Sequence, residues 1–103
     1  MIRQFDVVRT PLRQSKEQRP FFVILQSDYI DTLSRVCAPL IAERFLQPFG
    51  RMNPVFVIEG RRHYFHPIEP VTFDLRVLRN PLANLEADRD RIIAALDLVF
   101  TGI

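Results

Sequence analysis

Residues 20–26, Pro20-Phe21-Phe22-Val23-Ile24-Leu25-Gln26, contain the longest apolar run of the sequence. The run is short and rich in aromatic and β-branched side chains, which favours a β-strand over a helix. Because polar residues do not alternate with the apolar ones, we expect both faces of this strand to be covered. The run is also far shorter than the ~18 apolar residues that a membrane-spanning helix needs.

Further strands are predicted on both sides of this run. Ile2–Arg9 mixes apolar and polar residues and is predicted to be a first strand, whereas Thr10–Pro20 is polar, ends in proline and is predicted to be a loop. Val55–Glu59 and Arg62–His66 flank Gly60-Arg61, and a glycine at the first position of a two-residue loop is typical of a type II′ hairpin.

Residues 71–77 alternate apolar and polar side chains, which predicts a half-buried strand.

Ser27–Thr32 concentrates side chains that bond to nearby backbone and is predicted to be a tight corner. Pro39 argues against a continuous element in Leu33–Leu46, and a loop with two prolines follows. The pattern therefore assigns no secondary structure to residues 33–54.

One helix is predicted near the C-terminus. Asn84 is the expected N-cap, and Gly102 stands where a left-handed terminator is expected. The apolar stripe of this helix consists of Leu85, Ile92, Leu96 and Val99. The predicted fold class is therefore mostly β with a C-terminal α-helix, an antiparallel sheet against which the helix packs.

Length and composition limit the kind of protein. A chain of 103 residues with 48% hydrophobic residues and a net charge of +2 favours one folded domain, residues 1–103, over disorder. The single cysteine excludes an internal disulfide. The first residues lack the apolar region of a signal peptide, so we expect a cytoplasmic protein.

The basic residues are concentrated in the N-terminal part, where residues 1–20 carry a net charge of +3. A nucleic-acid surface normally needs a larger basic stripe with interleaved aromatic residues. We therefore interpret this segment as a solvated basic loop, which leaves open that it attracts an acidic segment of a partner.

The histidines do not form a convincing metal site or cleavage site. His63 and His66, with Glu59 and Glu69 nearby, have the residue types of a metal cluster. Residues three apart in a strand point to opposite faces, so the two imidazoles are expected to diverge. We predict neither a metal nor a cofactor.

Two other groups have simple structural interpretations. Asp28 and Asp31 have the residue type of an acid–base pair, but side chains that cap their own turn explain this spacing better. Cys37 stands between Val36 and Ala38, so a small buried residue is expected rather than a nucleophile. No phosphate-binding or nucleophile-elbow motif is present, and nothing in the pattern requires an enzyme.

The last residues are unusual. The predicted helix continues directly into Thr101-Gly102-Ile103, where the glycine frees the final apolar side chain from helical geometry. A frayed end is the simpler interpretation of this segment. The alternative is a short probe that enters a pocket of a partner.

Two blocks of the sequence resemble the CcdB toxins of plasmid and chromosomal toxin–antitoxin modules. The first contains Gln26-Ser27-Asp28 and Ile30-Asp31-Thr32, followed by Arg35 and Pro39-Leu40. The second is Asn84–Ile103, which is similar to the C-terminal helix and closing tail of that family in the same register. The resemblance covers essentially the whole chain.

The resemblance implies a small barrel-like antiparallel sheet of the CcdB and MazF type, with a minor wing sheet and a C-terminal helix. It also implies a homodimer without enzymatic activity that binds the A subunit of DNA gyrase and traps the topoisomerase on cleaved DNA. A CcdA-like antitoxin with a disordered C-terminal segment is the expected neutralising partner, and no direct nucleic-acid or membrane binding is expected. The implied gyrase-binding residues are Ser27, Ile30, Asp97, Thr101, Gly102 and Ile103.

The sequence differs from the family at three of these contact regions. Thr101 replaces a family tryptophan, Asp97 replaces an asparagine, and Tyr29 replaces the first of two corner isoleucines. Loss of an indole removes a stacking or cation–π contact of about 0.5–2 kcal/mol.

Two alternatives to gyrase poisoning stay open. The first is an endoribonuclease of the MazF or Kid type that uses His63 or His66 with nearby arginines, and the second is a family member that is no longer toxic.

Overall fold

A computed structural model describes all 103 residues. It contains seven strands and one α-helix: β1 (Asp6–Arg9), β2 (Phe21–Ile24), β3 (Ser34–Ala42), β4 (Val55–Ile58), β5 (Arg61–Phe65), β6 (Val71–Asp74), β7 (Ala83–Asn84) and α1 (Arg89–Thr101). All strand pairs are antiparallel, in the order β4-β5-β3-β2-β1-β7, and β6 pairs with β3. The sheet forms a nearly closed barrel with one C-terminal helix, and the β4–β5 hairpin is its wing, so the predicted fold class is confirmed.

β2 is buried on both faces, as its apolar run predicts. Phe21 and Val23 belong to the larger core, which the helix covers with Ile92 and Ala95. Phe22 and Ile24 point to the opposite face and pack in a second, smaller core that includes Cys37 and Phe73. Burying a side chain of this size contributes about 1.5–3 kcal/mol, so this strand is a main source of stability.

β3 is continuous through Pro39, and the expectation that this proline interrupts the segment was wrong. One edge of β3 pairs with β2, while the other edge pairs first with β6 and then with β5. The Pro39 carbonyl accepts a hydrogen bond of 3.0 Å from the His66 N–H. The N–H and C=O of one strand residue point to the same edge, so the missing N–H faces the point where β3 changes partners. The missing N–H of Pro39 therefore removes little of the hydrogen bonding between β3 and its neighbouring strands.

The remainder of residues 33–54 contains two short 3₁₀ turns, Glu43–Phe45 and Gly50–Met52. The second lies against α1. This segment is thus one long strand followed by an irregular connection, and the two parts could not be separated by pattern alone.

The wing hairpin is confirmed, but its turn lies one residue earlier than predicted. Ile58 pairs with Arg61, so the loop residues are Glu59 and Gly60, with φ of 53° and 78°. Positive φ at both positions is the requirement of a type I′ turn, not of the predicted type II′.

The strand predicted over residues 71–77 and the helix also differ from prediction in their bounds. β6 ends at Asp74, and residues 75–77 form a 3₁₀ turn rather than a continuation of the strand. Asn84 lies in β7 and not at the N-cap, although its Oδ1 accepts the Glu86 N–H at 2.8 Å. A 3₁₀ turn then precedes α1, which begins at Arg89.

The predicted helix face is largely correct. Leu85 and Ile92 are buried, Leu96 and Val99 are half-buried, and Ala95 is an additional buried residue of the stripe. With 13 residues, α1 is too short to span a membrane.

Candidate functional site

The corner after β2 is organised by one glutamine. Gln26 Nε2 donates to the Ile30 carbonyl at 2.6 Å and to Thr32 Oγ1 at 3.1 Å, and its Oε1 accepts the Val36 N–H at 3.1 Å. The Ser27 carbonyl accepts the Ile30 N–H at 3.0 Å, which closes the turn. The predicted corner is therefore confirmed, with side-chain bonds that hold its tip.

The two aspartates of the corner do not cap their own turn, so that expectation was wrong. Asp28 Oδ1 accepts the N–H of Gln4 at 2.8 Å and so ties the corner to the N-terminal segment. Asp31 forms an ion pair of 3.1 Å with Arg35 at the start of β3. The local capping is done by Ser27, whose Oγ accepts the Tyr29 N–H at 3.2 Å.

The tip of the corner presents apolar side chains to solvent. Tyr29 is 97% exposed, Leu33 is 83% exposed and Ile30 is 55% exposed. Ser27 is half-buried, and its hydroxyl is already engaged with backbone. A protein of this size rarely leaves several large apolar side chains exposed together, so this tip is a candidate contact surface.

The C-terminal tail is the second exposed feature. Gly102 has φ of 78°, and its N–H donates to the Leu98 carbonyl at 3.1 Å, so the predicted left-handed terminator is confirmed. Thr101 Oγ1 donates to the Asp97 carbonyl at 2.7 Å. Ile103 is 83% exposed, beyond the last helical bond.

Asp97 and Thr101 therefore lie one helical turn apart, next to Gly102 and Ile103. No hydrogen bond or ion pair joins these residues to Ser27 or Ile30. Within one chain, the six residues thus form two separate groups, the corner and the tail.

The histidines and the cysteine are structural in geometry. His63 packs edge-on against Phe21 at 5.1 Å, and its Nδ1 lies 2.9 Å from the Arg61 carbonyl oxygen. His66 Nε2 lies 3.6 Å from Glu69 Oε1, and burial lowers the pKa of both histidines. Burial raises the pKa of Cys37 to about 12, which makes it a poor nucleophile. No cluster of metal-ligating side chains is present.

The N-terminal basic loop is partly neutralised by ion pairs that sequence reasoning missed. Arg9 binds Glu59 of the wing turn, and Arg19 donates to the Glu69 carboxylate through its Nε and Nη2. Both pairs join residues 50 positions apart, so no local signal reveals them. Arg13 and Lys16 remain without an ion pair and keep the loop basic.

The apolar strands are largely covered within the chain itself. Phe21–Ile24 is buried within the chain, as are Phe56 and Ile58. In the wing strand β4, Val57 is the large apolar side chain that stays exposed, at 65%. The remaining exposed apolar side chains lie elsewhere and include Phe49 and Phe100.

Comparison with known proteins gives a family and a fold. The sequence model of the family described as CcdB protein matches residues 4–102. No protein with a curated function matches the sequence. One similar solved structure is an endoribonuclease in complex with its cognate antitoxin from a mycobacterial species, with 15% identity and a TM-score of 0.73 over 94% of this chain and 92% of that one.

Proposed function

The chain belongs to the CcdB family, and from that membership we propose that it is a type II toxin that binds the A subunit of DNA gyrase and traps the topoisomerase on cleaved DNA. In this proposal the protein acts as a binder without catalytic activity of its own. It works in the cytoplasm, where the topoisomerase and chromosome are found.

The observation that carries the proposal is the geometry of the C-terminus. The left-handed Gly102 ends the helix, and Ile103 extends beyond it, 83% exposed. A short probe needs a fixed base, and a left-handed C-cap ends the helix at a defined residue. The cap bond from Gly102 to Leu98 supplies that base.

The corner supplies a second group of contacts. Ile30 is exposed at a tip whose backbone is held by Gln26, so an apolar contact is made with little loss of conformational entropy. Asp97, exposed on the last turns of the helix, suits a basic residue of the target. Such a pair offsets part of the binding free energy that is missing where Thr101 replaces the family tryptophan.

Two partners complete the proposal. A homodimer covers exposed apolar side chains such as Leu33 and Phe100, and light scattering then gives about twice the 12.1 kDa of one chain. A CcdA-like antitoxin with a disordered acidic segment binds the unpaired basic side chains of the loop. The similarity to a toxin structure that holds its cognate antitoxin supports an antitoxin partner.

The test is a DNA cleavage assay with the purified protein and complete gyrase, reconstituted from its A and B subunits. We expect linear DNA to accumulate in the presence of ATP, and removal of Gly102-Ile103 to abolish it while the thermal unfolding temperature stays unchanged. Unchanged trapping by a folded variant without these residues would contradict the proposed role of the tail.

The endoribonuclease alternative has only the similarity of fold in its favour. His63 is buried against Phe21, and the His66 side chain is only 12% exposed, so little of either imidazole is accessible to a substrate. Incubation with bulk RNA tests it, and discrete fragments that disappear in a His66→Gln variant would favour a ribonuclease over a gyrase poison.

A further inference from the structure

The N-terminal segment, residues 3–6, is bonded both to β2 and to the residues that precede α1. The Phe5 N–H donates to the Ile24 carbonyl at 2.7 Å, and the Phe5 carbonyl accepts the Leu85 N–H at 2.9 Å. This segment therefore connects the strand that leads into the corner with the chain that leads into the helix.

The conformation of this segment is fixed by Phe5 and Asp6. Phe5 has φ of 67°, in the left-handed region that a bulky side chain rarely adopts. A residue keeps such a conformation only where its surroundings impose it, and the Phe5 side chain is fully buried in the larger core. The buried Asp6 carboxylate accepts the Arg3 N–H at 2.7 Å and a hydrogen bond from Asn84 Nδ2 at 2.9 Å. The segment is thus a rigid support for the residues bonded to it.

Gln4 of this segment bonds to the corner on one side and to the approach to α1 on the other. Its N–H donates to Asp28 Oδ1 at 2.8 Å, and its Nε2 donates to the Leu25 carbonyl at 2.9 Å. Its carbonyl accepts a hydrogen bond of 3.1 Å from Asn84 Nδ2, and Asn84 Oδ1 in turn accepts the Glu86 N–H at 2.8 Å. A continuous chain of hydrogen bonds therefore runs from the corner to the turn before α1.

Asp28 is the residue of the corner whose side chain reaches out of it. The side chains of Ser27, Asp31 and Thr32 bond within the corner and the start of β3. Asp28 instead binds Gln4, 24 positions away in the sequence, and it stands two residues before the exposed Ile30. Its carboxylate is thus placed to set the position of the tip relative to the rest of the molecule.

We propose that Asp28 is a positioning residue for gyrase recognition, which fixes the corner tip relative to the helix that carries the tail. The inference rests on the proposed function, in which Ile30 of the corner and Ile103 of the tail both contact the A subunit. Two contact groups that are held on one rigid body lose less conformational entropy on binding than two groups that move independently. In this role Asp28 acts through Gln4 and makes no contact of its own with gyrase.

The test is isothermal titration calorimetry of the purified protein and its variants with the gyrase A subunit. Asp28→Ala removes the acceptor of the Gln4 N–H, and we expect it to weaken binding about fivefold. Asp28→Asn keeps an Oδ1 that accepts this N–H but loses the charge, and its affinity should stay within about twofold of that of the unaltered protein. A direct ion pair between Asp28 and gyrase would be lost in both variants.

Asp31→Ala is the matched control, because it removes the same charge from the same corner. Asp31 is 85% exposed, and its partner Arg35 keeps its bonds to the Thr32 and Ser34 carbonyls when the carboxylate is absent. We expect this variant to bind the A subunit as the unaltered protein does.

Amide hydrogen exchange of the free protein gives a second readout, which requires no gyrase. The Gln4 N–H should exchange faster in Asp28→Ala than in the unaltered protein, and at the ordinary rate in Asp28→Asn and Asp31→Ala. An unchanged rate in Asp28→Ala would overturn the proposal.

The calorimetric results separate this role from gyrase recognition itself. Binding by Asp28→Ala that equals that of the unaltered protein would overturn the role of Asp28, as would equal weakening by Asp28→Asn or by Asp31→Ala. Absence of binding by the unaltered protein would instead contradict the proposed function, on which this role depends. The unaltered protein alone therefore tells the two failures apart.

Discussion

At the scale of single residues, Gly102 determines the direction in which the chain leaves the helix. Its φ of 78° lies in the left-handed region, where a side chain costs about 1–2 kcal/mol. The space around it is open, so this cost arises from the backbone alone. Gly60 in the wing turn has the same φ and equally open surroundings, which makes it a matched control.

We predict that Gly102→Ala and Gly60→Ala each lower the free energy of unfolding by about 1 kcal/mol, measured by urea denaturation. DNA trapping by gyrase should fall only in Gly102→Ala, because that residue alone sets the path of Ile103. Equal loss of trapping in both variants would indicate an effect of stability rather than of the tail.

The histidines carry a residue-scale prediction about pH. Burial is the main cause that lowers the pKa of His63 and His66 below their ordinary 6.5 in the folded chain. Below that pH the unfolded chain binds protons that the folded chain does not, so the free energy of unfolding falls as the pH is lowered. The stability is fully present above pH 6.5 and is lost as the pH falls through the depressed values.

Replacement of the buried histidine should reduce this dependence. We expect His63→Phe, which keeps a ring against Phe21, to lose less stability than the unaltered protein when urea denaturation is compared at neutral pH and at about pH 5. Identical losses in the two proteins would show that His63 does not contribute to the acid sensitivity.

At the scale of elements, one arginine joins the helix to the wing. Arg91 of α1 donates to the Val55 carbonyl of β4 at 3.1 Å, and its guanidinium lies 4.8 Å from the centre of the Phe56 ring. It also pairs with Asp88 at 3.1 Å. These contacts hold α1, which carries the C-terminal tail, against the β4–β5 hairpin.

We predict that Arg91→Ala lowers the free energy of unfolding by about 1–2 kcal/mol, because it removes the hydrogen bond and the cation–π interaction. Arg51→Ala, which removes an exposed and unpaired arginine, should change it by less than about 0.5 kcal/mol. Denaturant unfolding of both variants checks this, and similar values for the two would mean that the Arg91 contacts add nothing to stability.

At the scale of the whole molecule, ion pairs join segments that are distant in the sequence, and a few basic side chains are left unpaired. Arg13 and Lys16 remain unpaired on the N-terminal loop, whereas Arg9 is bound to Glu59. An acidic antitoxin segment should therefore be attracted mainly by the free side chains.

We predict that the affinity for such a segment falls as salt concentration rises, and that Lys16→Gln weakens binding more than Arg9→Gln does. Isothermal titration calorimetry at two salt concentrations measures both effects. Affinity that does not change with salt would remove the electrostatic part of the interaction.

Local pattern was sufficient to predict several features because each depends on neighbours in the sequence. The unbroken apolar run of β2, the glycine near the wing turn and the glycine after α1 each predicted its element. The two blocks that resemble CcdB toxins likewise predicted the family, which the match over residues 4–102 confirms.

Tertiary structure decided the features that depend on distant residues. Pro39 is accepted in β3 only because β6 and β5 leave a gap in their pairing with that strand. Asp28 binds Gln4 rather than its own turn, and Arg9 binds Glu59, 50 positions away in the sequence. Pairings over such separations follow from how the whole chain packs, and no local propensity encodes them.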